Sequence, residues 1–176
     1  MTVRSVDELD RLSPEAFADA VAPLFEGAAR FLARLAAARP FGSHAVLFAA
    51  AREIARSMPE DEQLELIDAH PRLGAPPGSV SALSFVEQGY DRGAADAAAE
   101  VERSAVAAEL RRLNAAYEAR FGFRYCVFVA GRPRSALLSG FAAALDEDRQ
   151  AEIARGLEAV VDIAHDRWRT LRSPAG

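Results

Sequence analysis

The sequence contains no lysine, since all 21 of its basic residues are arginine. Catalysis through a Schiff base, including a pyridoxal phosphate aldimine, needs a lysine amine and is therefore excluded. Cysteine is nearly as scarce, because Cys126 stands alone and can form no disulfide within the chain. With one cysteine and only three histidines, His44, His70 and His165, the chain has no means of building a cysteine-rich zinc site.

Charge and hydropathy exclude further classes of partner. The 176 residues carry a net charge of −5, and basic residues form no block, so duplex nucleic acid is not an expected partner. The densest apolar run, 45–51, is far shorter than a bilayer requires. The first residues include acids and lack the apolar core of an export signal. We therefore expect a cytoplasmic protein that binds no membrane.

Apolar residues recur at helical spacing along most of the chain. The predicted helices begin near Ser13 and Ser43 and span about 27–38, 59–70, 98–120 and 148–171. Ser13 precedes a proline, which suits a helix start, and Pro71 stops the helix that carries His70. Because 51% of the residues are apolar, the chain can bury a substantial core. The sequence thus predicts an all-α fold, with one helical domain over residues 1–176.

The segment "FRYCVFVAG", residues 123–131, departs from this pattern. Its β-branched and aromatic residues are typical of a strand. No other segment has a strand pattern with which it could pair, and a fully buried helix has the same composition. We therefore predict a buried helix here.

His70 and the later "SFVEQ" invite two interpretations. In the structural one, His70 is a cation at a helix C-terminus, and Ser84 with Glu87 forms a capping box that opens the next helix. In the functional one, the loop between them brings the imidazole close to Ser84, Glu87 and Gln88. A histidine in such company suits proton transfer on a small anion.

Four motifs also carry a resemblance to a known family: "DAHPRLG", "SFVEQ", "LNAAYEARFGFRYCVFVAGR" and "DIAHDRW". The upstream "LFEGAARFLARLAAARPF" fits the same pattern. Together they span about Leu24 to Trp168, and they resemble the ureidoimidazoline decarboxylases of uric acid breakdown. The His-Pro pair with Ser-x-x-Glu-Gln is the most specific part of the resemblance.

The resemblance implies an all-helical homodimeric enzyme that needs no metal and no organic cofactor. Its implied reaction decarboxylates a small molecule, 2-oxo-4-hydroxy-4-carboxy-5-ureidoimidazoline, to (S)-allantoin. His70, Glu87 and Arg167 take the positions of the family's catalytic residues, with His70 as a proton donor. The implied substrate-binding residues are Pro71, Ser84, Phe85, Val86, Gln88, Tyr125, Cys126, Val127, Phe128 and Val129.

Two other functions stay open from the sequence. A divergent relative would act as a decarboxylase or isomerase on another ureido or carboxylated heterocycle. A helical binding module without catalysis would keep His70 and Glu87 only as cap residues and Arg167 as a solvated side chain. The joint presence of the three residues favours an enzyme.

Overall fold

The computed structural model describes residues 4–89 and 97–172. These residues form nine α-helices and three short 3₁₀ helices, joined by loops. The helices are α1 (Val6–Asp10), α2 (Pro14–Val21), α3 (Ala29–Ala37), α4 (His44–Ser57), α5 (Glu60–Asp68), α6 (Ala82–Glu87), α7 (Ala97–Phe121), α8 (Leu138–Ala144) and α9 (Arg149–Arg172). No residue in the described ranges belongs to a β-strand. The all-helical prediction is confirmed. The single-domain prediction also covers residues 1–3, 90–96 and 173–176, which lie outside the described residues.

The helix starts follow the residues that the sequence placed there. The Ser13 hydroxyl accepts from the Ala16 N–H at 3.2 Å, with Pro14 as the first helical residue of α2. The Ser43 hydroxyl caps α4 in the same way, at 3.3 Å from the Val46 nitrogen. Among the described helices, none is long and apolar enough to cross a membrane.

The chain packs as two units, each with its own core. The first unit comprises Met1–His70 and Ile153–Gly176. Its fully buried side chains include Phe17, Phe25, Phe31, Leu35, Leu47, Leu66, Ile67, Val160 and Ala164. Part of that set is the apolar stripe of α9, which was the clearest helical pattern in the sequence. Ion pairs add to this core at the surface, where Arg34 binds Glu62 at 2.6 Å and Arg52 binds Asp162 at 2.5 Å.

The second unit, Pro71–Glu152, is organised around aromatic rings. Tyr117 of α7 makes ring contacts with Phe121, Phe123, Tyr125 and Phe141. The Tyr117 hydroxyl is buried and donates to the Glu152 carboxylate at 2.6 Å. Such clusters combine large apolar burial with a hydrogen bond for the phenol.

The prediction of a buried helix over 123–131 is wrong. The helix α7 ends at Phe121, and Gly122 follows with φ +81°, a conformation that glycine adopts without strain. Residues 124–129 then run extended, without pairing to a strand. Two of their carbonyls, of Phe128 and Val129, accept from the Arg132 guanidinium at 2.6 and 3.0 Å. A side chain therefore supplies hydrogen bonds that a helix would have made internally.

Candidate functional site

His70 lies immediately beyond the end of α5, in the first unit. Its N–H donates to the Ile67 carbonyl at 3.1 Å, which continues the helical path past the cap residue Ala69. The imidazole is only 4% exposed, and its Nδ1 lies 3.3 Å from the Leu66 carbonyl oxygen. Because a carbonyl only accepts, this contact favours the tautomer with hydrogen on Nδ1. Nε2 of that tautomer keeps its lone pair and can take up a proton.

A glycine on α9 allows the end of α5 to approach closely. A Cβ atom added at Gly156 would lie 3.1 Å from the Ile67 Cδ1 atom, tighter than most real contacts. Ile67 is itself fully buried three residues before His70. The small residue on α9 therefore helps to fix the helix end from which His70 projects.

Arg167 of α9 is also buried in the first unit, with 2% of its surface exposed. Its NH1 group donates to the carbonyls of Pro23 and Leu24 at 2.9 and 3.3 Å. Its NH2 group forms an ion pair with the Glu26 carboxylate at 2.8 Å. The interpretation of Arg167 as a solvated surface residue is therefore wrong.

The charges of this unit act directly on His70. Burial, together with the neighbouring Arg167 charge, lowers the pKa of the His70 imidazole to about 4, while Glu26 and the hydrogen bond to Leu66 oppose the shift. His70 is consequently neutral at pH 7. The interpretation of His70 as a cation that complements the helix dipole is wrong, because the folded protein disfavours its charged form. His70, Arg167 and Glu26 form one electrostatic cluster, which we name the charged cluster.

In the second unit, the helix that carries "SFVEQ" starts earlier than predicted. The N-cap of α6 is Ser81, whose hydroxyl accepts from the Ser84 N–H at 3.2 Å. Ser84 lies inside α6 and is 3% exposed, so the predicted capping box of Ser84 with Glu87 is wrong. The reason is that Ser81 offers the same capping oxygen one turn upstream, directly after the loop that contains Pro76 and Pro77.

Gln88 links α6 to the loop that follows His70 in sequence. Its Oε1 atom accepts from the Gly74 N–H at 2.7 Å, and its Nε2 group donates to the Arg72 carbonyl at 3.2 Å. Asn114 of α7 holds the middle of the same loop, because its Nδ2 group donates to the Leu73 carbonyl at 2.9 Å. Both amides are 7% exposed. We name Gln88, Asn114 and loop residues 72–74 the amide network.

The remaining predicted residues of α6 differ in exposure. Val86 is 54% exposed, and Phe85 and Glu87 are half-buried. Glu87 is the last residue of α6, where the helix dipole favours cations over carboxylates. The helix dipole therefore does not stabilise an acid at this position.

The predicted substrate-lining segment, Tyr125 to Val129, adjoins the aromatic cluster. Tyr125, Cys126 and Val129 are buried, whereas Val127 and Phe128 are half-buried. The Tyr125 ring stacks on Phe141 with centroids 3.8 Å apart. In an extended segment the backbone N–H and C=O groups point away from the chain to either side and can bind a partner. In a helix they bond to one another.

Two cavities in the second unit are each lined by one of the predicted site residues. One of about 710 Å³ is lined by Pro71 together with Arg72, Gly74 and Asn114, among others. Another of about 270 Å³ is lined by Gln88 and Gly89, among others. The structure thus brings His70 together with Arg167 in the first unit, and it joins Gln88 to the loop after Pro71 in the second.

Three residues that matter for this geometry escaped the sequence analysis. Glu26 lies in the quoted "LFEGAARF" motif, but nothing in the sequence signals its pairing with a residue 141 positions later. Ser81 was recognisable as a cap, since serine followed by a short helical run is a common start. Asn114 belongs to the quoted "LNAAYEARFGF", where a buried amide has no periodic signature.

The sequence is similar to that of a known protein family. A model of the OHCU decarboxylase family matches residues 10–169. The uric acid degradation bifunctional protein PucL of Bacillus subtilis is 29% identical over 163 residues, 93% of this chain and 32% of that protein. The 2-oxo-4-hydroxy-4-carboxy-5-ureidoimidazoline decarboxylase of Haloferax volcanii is 27% identical over 165 residues, 93% of each chain. The chain spans about a third of the length of the Bacillus relative and nearly all of the Haloferax one.

Solved structures agree on the fold. A crystal structure of (S)-allantoin synthase matches 96% of this chain, and 54% of its own length, with a TM-score of 0.65 at 21% identity. A crystal structure of OHCU decarboxylase in the presence of (S)-allantoin matches 88% of this chain and 97% of its own, with a TM-score of 0.67 at 19% identity. The family match covers most of the sequence and includes every motif quoted above. The chain belongs to the OHCU decarboxylase family.

Proposed function

We propose that this protein decarboxylates 2-oxo-4-hydroxy-4-carboxy-5-ureidoimidazoline to (S)-allantoin in urate degradation. The observation that carries the proposal is the charged cluster, which buries His70 beside Arg167 in a chain of this family. Burying ionisable groups costs free energy that a purely structural role does not require. The similarity to a uric acid degradation bifunctional protein and to a decarboxylase of the same name as this activity supports the proposal.

The reaction needs little from the protein beyond placement and a proton. The bond between the ring carbon and the carboxylate breaks, CO₂ leaves, and the electron pair passes into the imidazoline ring of the substrate. A proton then adds to the neighbouring ring carbon on one face, while the proton of the hydroxyl group passes to the ring nitrogen that took up the electron pair, which leaves a carbonyl and gives a single enantiomer. Since the ring itself accepts the electrons, neither a lysine Schiff base nor another electron sink is required, which agrees with the absence of lysine.

His70 would supply this proton only after the substrate has bound. In the substrate-free protein the imidazole is neutral, because burial and the Arg167 charge hold its pKa at about 4. An anionic substrate beside His70 favours the charged imidazole and raises that pKa. The proton would therefore enter with the substrate, bind at Nε2, and pass to the ring carbon after CO₂ has left. Arg167 would hold the negative charge of the substrate during these steps.

The roles of the second unit follow the family's motif. We propose that Glu87 is a catalytic carboxylate and that Pro71, Ser84, Phe85, Val86 and Gln88 bind substrate, together with the extended backbone of Tyr125, Cys126, Val127, Phe128 and Val129. The amide network supports this assignment, because it fixes the loop after Pro71 by hydrogen bonds to Gln88 and Asn114. We further propose that residues 1–176 act as one decarboxylase domain, that the protein is a homodimer in the cytoplasm, and that it needs no cofactor.

The direct test follows product formation by circular dichroism. The unstable ureidoimidazoline is prepared from urate with the upstream enzymes and mixed at once with this protein. We expect allantoin to form faster than in the spontaneous reaction and with an excess of the (S) enantiomer. An unchanged rate with racemic product would refute the proposal in favour of another heterocyclic substrate or a binding module. Activity should also survive exhaustive chelation, and a loss restored by a divalent ion would contradict the cofactor-free mechanism.

Glu87→Gln tests the catalytic carboxylate. The variant keeps the size of the side chain, so we expect an unchanged melting temperature and a fall in turnover of about 10²-fold or more. Glu109→Gln is the matched control, because Glu109 is a partly exposed acid of the same unit that pairs with Arg112. Parental turnover for Glu87→Gln, alongside a normal control, would remove Glu87 from the mechanism.

A further inference from the structure

Glu26 combines three features that distinguish it from the other acids of the first unit. Its side chain is 13% exposed and pairs with an arginine whose side chain is 2% exposed. Its backbone has φ +50°, in the left-handed region that a glutamate rarely adopts. Gly27, with φ +77°, continues the same turn. Strained backbone at a buried ion pair indicates that the surrounding structure holds the residue there for a purpose.

The turn that presents Glu26 also presents the other partners of Arg167. The carbonyls of Pro23 and Leu24 accept from its NH1 group, while the Glu26 carboxylate binds its NH2 group. These contacts bind two separate nitrogen atoms of one planar group and so fix both its position and its orientation. One short segment, 23–26, therefore supplies all three of these contacts to the guanidinium of Arg167.

We propose that Glu26 is a positioning residue of the active site, whose carboxylate fixes Arg167 and balances its charge beside His70. This inference rests on the proposed function and goes beyond it, because no motif match assigns Glu26 a role. The charged groups that act on His70 are Arg167 and Glu26, one of each sign. The charges of Glu26 and Arg167 cancel, so the charged cluster has no net charge while His70 is neutral. It can then accept one further proton when an anionic substrate arrives.

Glu26→Gln separates charge from shape, since glutamine can still accept a hydrogen bond from Arg167 but removes the negative charge that pairs with it. We expect the pKa of His70 to fall by about one unit, because an opposing charge is lost nearby. The kcat should fall about tenfold, as fewer complexes carry a protonated His70. The KM should not rise, because a more positive cluster attracts an anionic substrate at least as well. A merely structural role predicts the reverse pattern, with a raised KM and an unchanged His70 titration.

Two further variants keep the inference testable. Glu26→Asp retains the charge and suits the left-handed backbone, so its His70 titration and kcat should return towards the parent. If Glu26→Gln does not fold, Glu26→Asn replaces it in the comparison with Glu26→Asp, since asparagine also suits that backbone. Glu158→Gln is the matched control, because Glu158 pairs with Arg52 and Arg56 in the same unit away from His70's charged partners. Glu158→Gln should change neither the His70 titration nor kcat.

The titration is followed by NMR of the imidazole in substrate-free protein, at pH values where circular dichroism shows the fold intact. The parent should begin to protonate His70 near pH 4, whereas Glu26→Gln should leave it neutral to the lowest such pH. Equal titration of His70 in parent, Glu26→Gln and Glu26→Asp would overturn the inference. This readout needs no substrate. Failure of the parent to decarboxylate would therefore refute the proposed function and leave the coupling of Glu26 to His70 tested separately.

Discussion

The two units bury their polar side chains by different means. In the first unit the buried groups are ionisable: His70, Arg167 and, largely covered, Glu26. In the second unit the amide network uses neutral side chains, and Gln88 and Asn114 bond to the backbone of the loop. A carboxylate is buried there too, and Glu152 accepts from the Tyr117 hydroxyl at 2.6 Å.

This difference separates two tasks. The electrostatic energy of the charged cluster depends on pH and on any anion that enters, so the cluster is suited to gaining and losing a proton. The amide network titrates at no ordinary pH and its hydrogen bonds fix a backbone path, so it is suited to holding a shape. We therefore expect substitutions in the charged cluster to alter pH behaviour and rate, and substitutions in the amide network to alter stability and substrate binding.

The largest effect is expected for His70→Asn. The variant removes the imidazole that we propose delivers the proton, and general acid catalysis is typically worth about 10²–10⁴-fold, so turnover should fall by that factor. Stability should fall by only about 1 kcal/mol, because asparagine can still donate to the Leu66 carbonyl. Single-turnover rates and thermal unfolding are measured on the same preparations.

An alternative outcome would break the comparison. If His70→Asn unfolds readily yet turns over normally while folded, His70 is a structural residue and the first unit holds no proton donor. A normal KM in the variant would instead strengthen the assignment, because the binding residues of the second unit are unchanged.

The second prediction concerns stability at low pH. An unfolded histidine takes up its proton near pH 6.5, whereas folded His70 does so only near 4, so the unfolded state binds more protons between these values. The free energy of unfolding should therefore decrease as the pH falls through this window, by on the order of 3 kcal/mol in total. Urea unfolding at several pH values between 7 and 4.5 measures this slope.

His70→Asn should remove most of that slope. A remainder is expected from His165, whose pKa is also lowered, chiefly by burial and then by the Arg52 charge. If the free energy of unfolding of His70→Asn depends on pH as steeply as that of the parent, the pH dependence arises from other residues. The charged cluster would then not differ from the amide network in its response to pH.

Gln88→Ala tests the amide network. It removes one hydrogen bond to the Gly74 N–H and one to the Arg72 carbonyl, and since both bonds are partly buried the loss should cost about 1 kcal/mol of stability for each. Unlike the effect at His70, this loss should be the same at pH 5 and pH 7. Gln63→Ala is the matched control, since Gln63 also bonds two backbone groups but is only half-buried in the first unit. A loss of stability that changes with pH would contradict the proposed difference between the amide network and the charged cluster.

The sequence predicted best where one local rule acts alone. The stripe of α9 and the caps at Ser13 and Ser43 follow from spacing and side-chain chemistry, and the structure confirms them. The prediction for residues 123–131 was wrong because the segment's carbonyls bond to the side chain of Arg132 and its Tyr125 ring packs on Phe141, which is distant in sequence. The partnership of Arg167 with Glu26 was out of reach for the same reason, since residues that meet only in the folded chain leave no periodic pattern.

The smallest effect is expected for Ser81→Ala, which removes the N-cap of α6. Such caps contribute about 1 kcal/mol, so global stability should fall by roughly that amount. Amide hydrogen exchange should accelerate at Ser84, whose N–H bonds to the Ser81 hydroxyl, while the His70 titration stays unchanged because α6 belongs to the other unit. Ser43→Ala, which uncaps α4, serves as the control for a cap remote from the substrate-binding motif. We expect a raised KM with normal kcat for Ser81→Ala alone, because Ser84, Phe85 and Val86, which we propose bind substrate, lie in the turn of α6 that follows this cap. A shifted His70 titration in this variant would mean that shape and charge are not divided between the units.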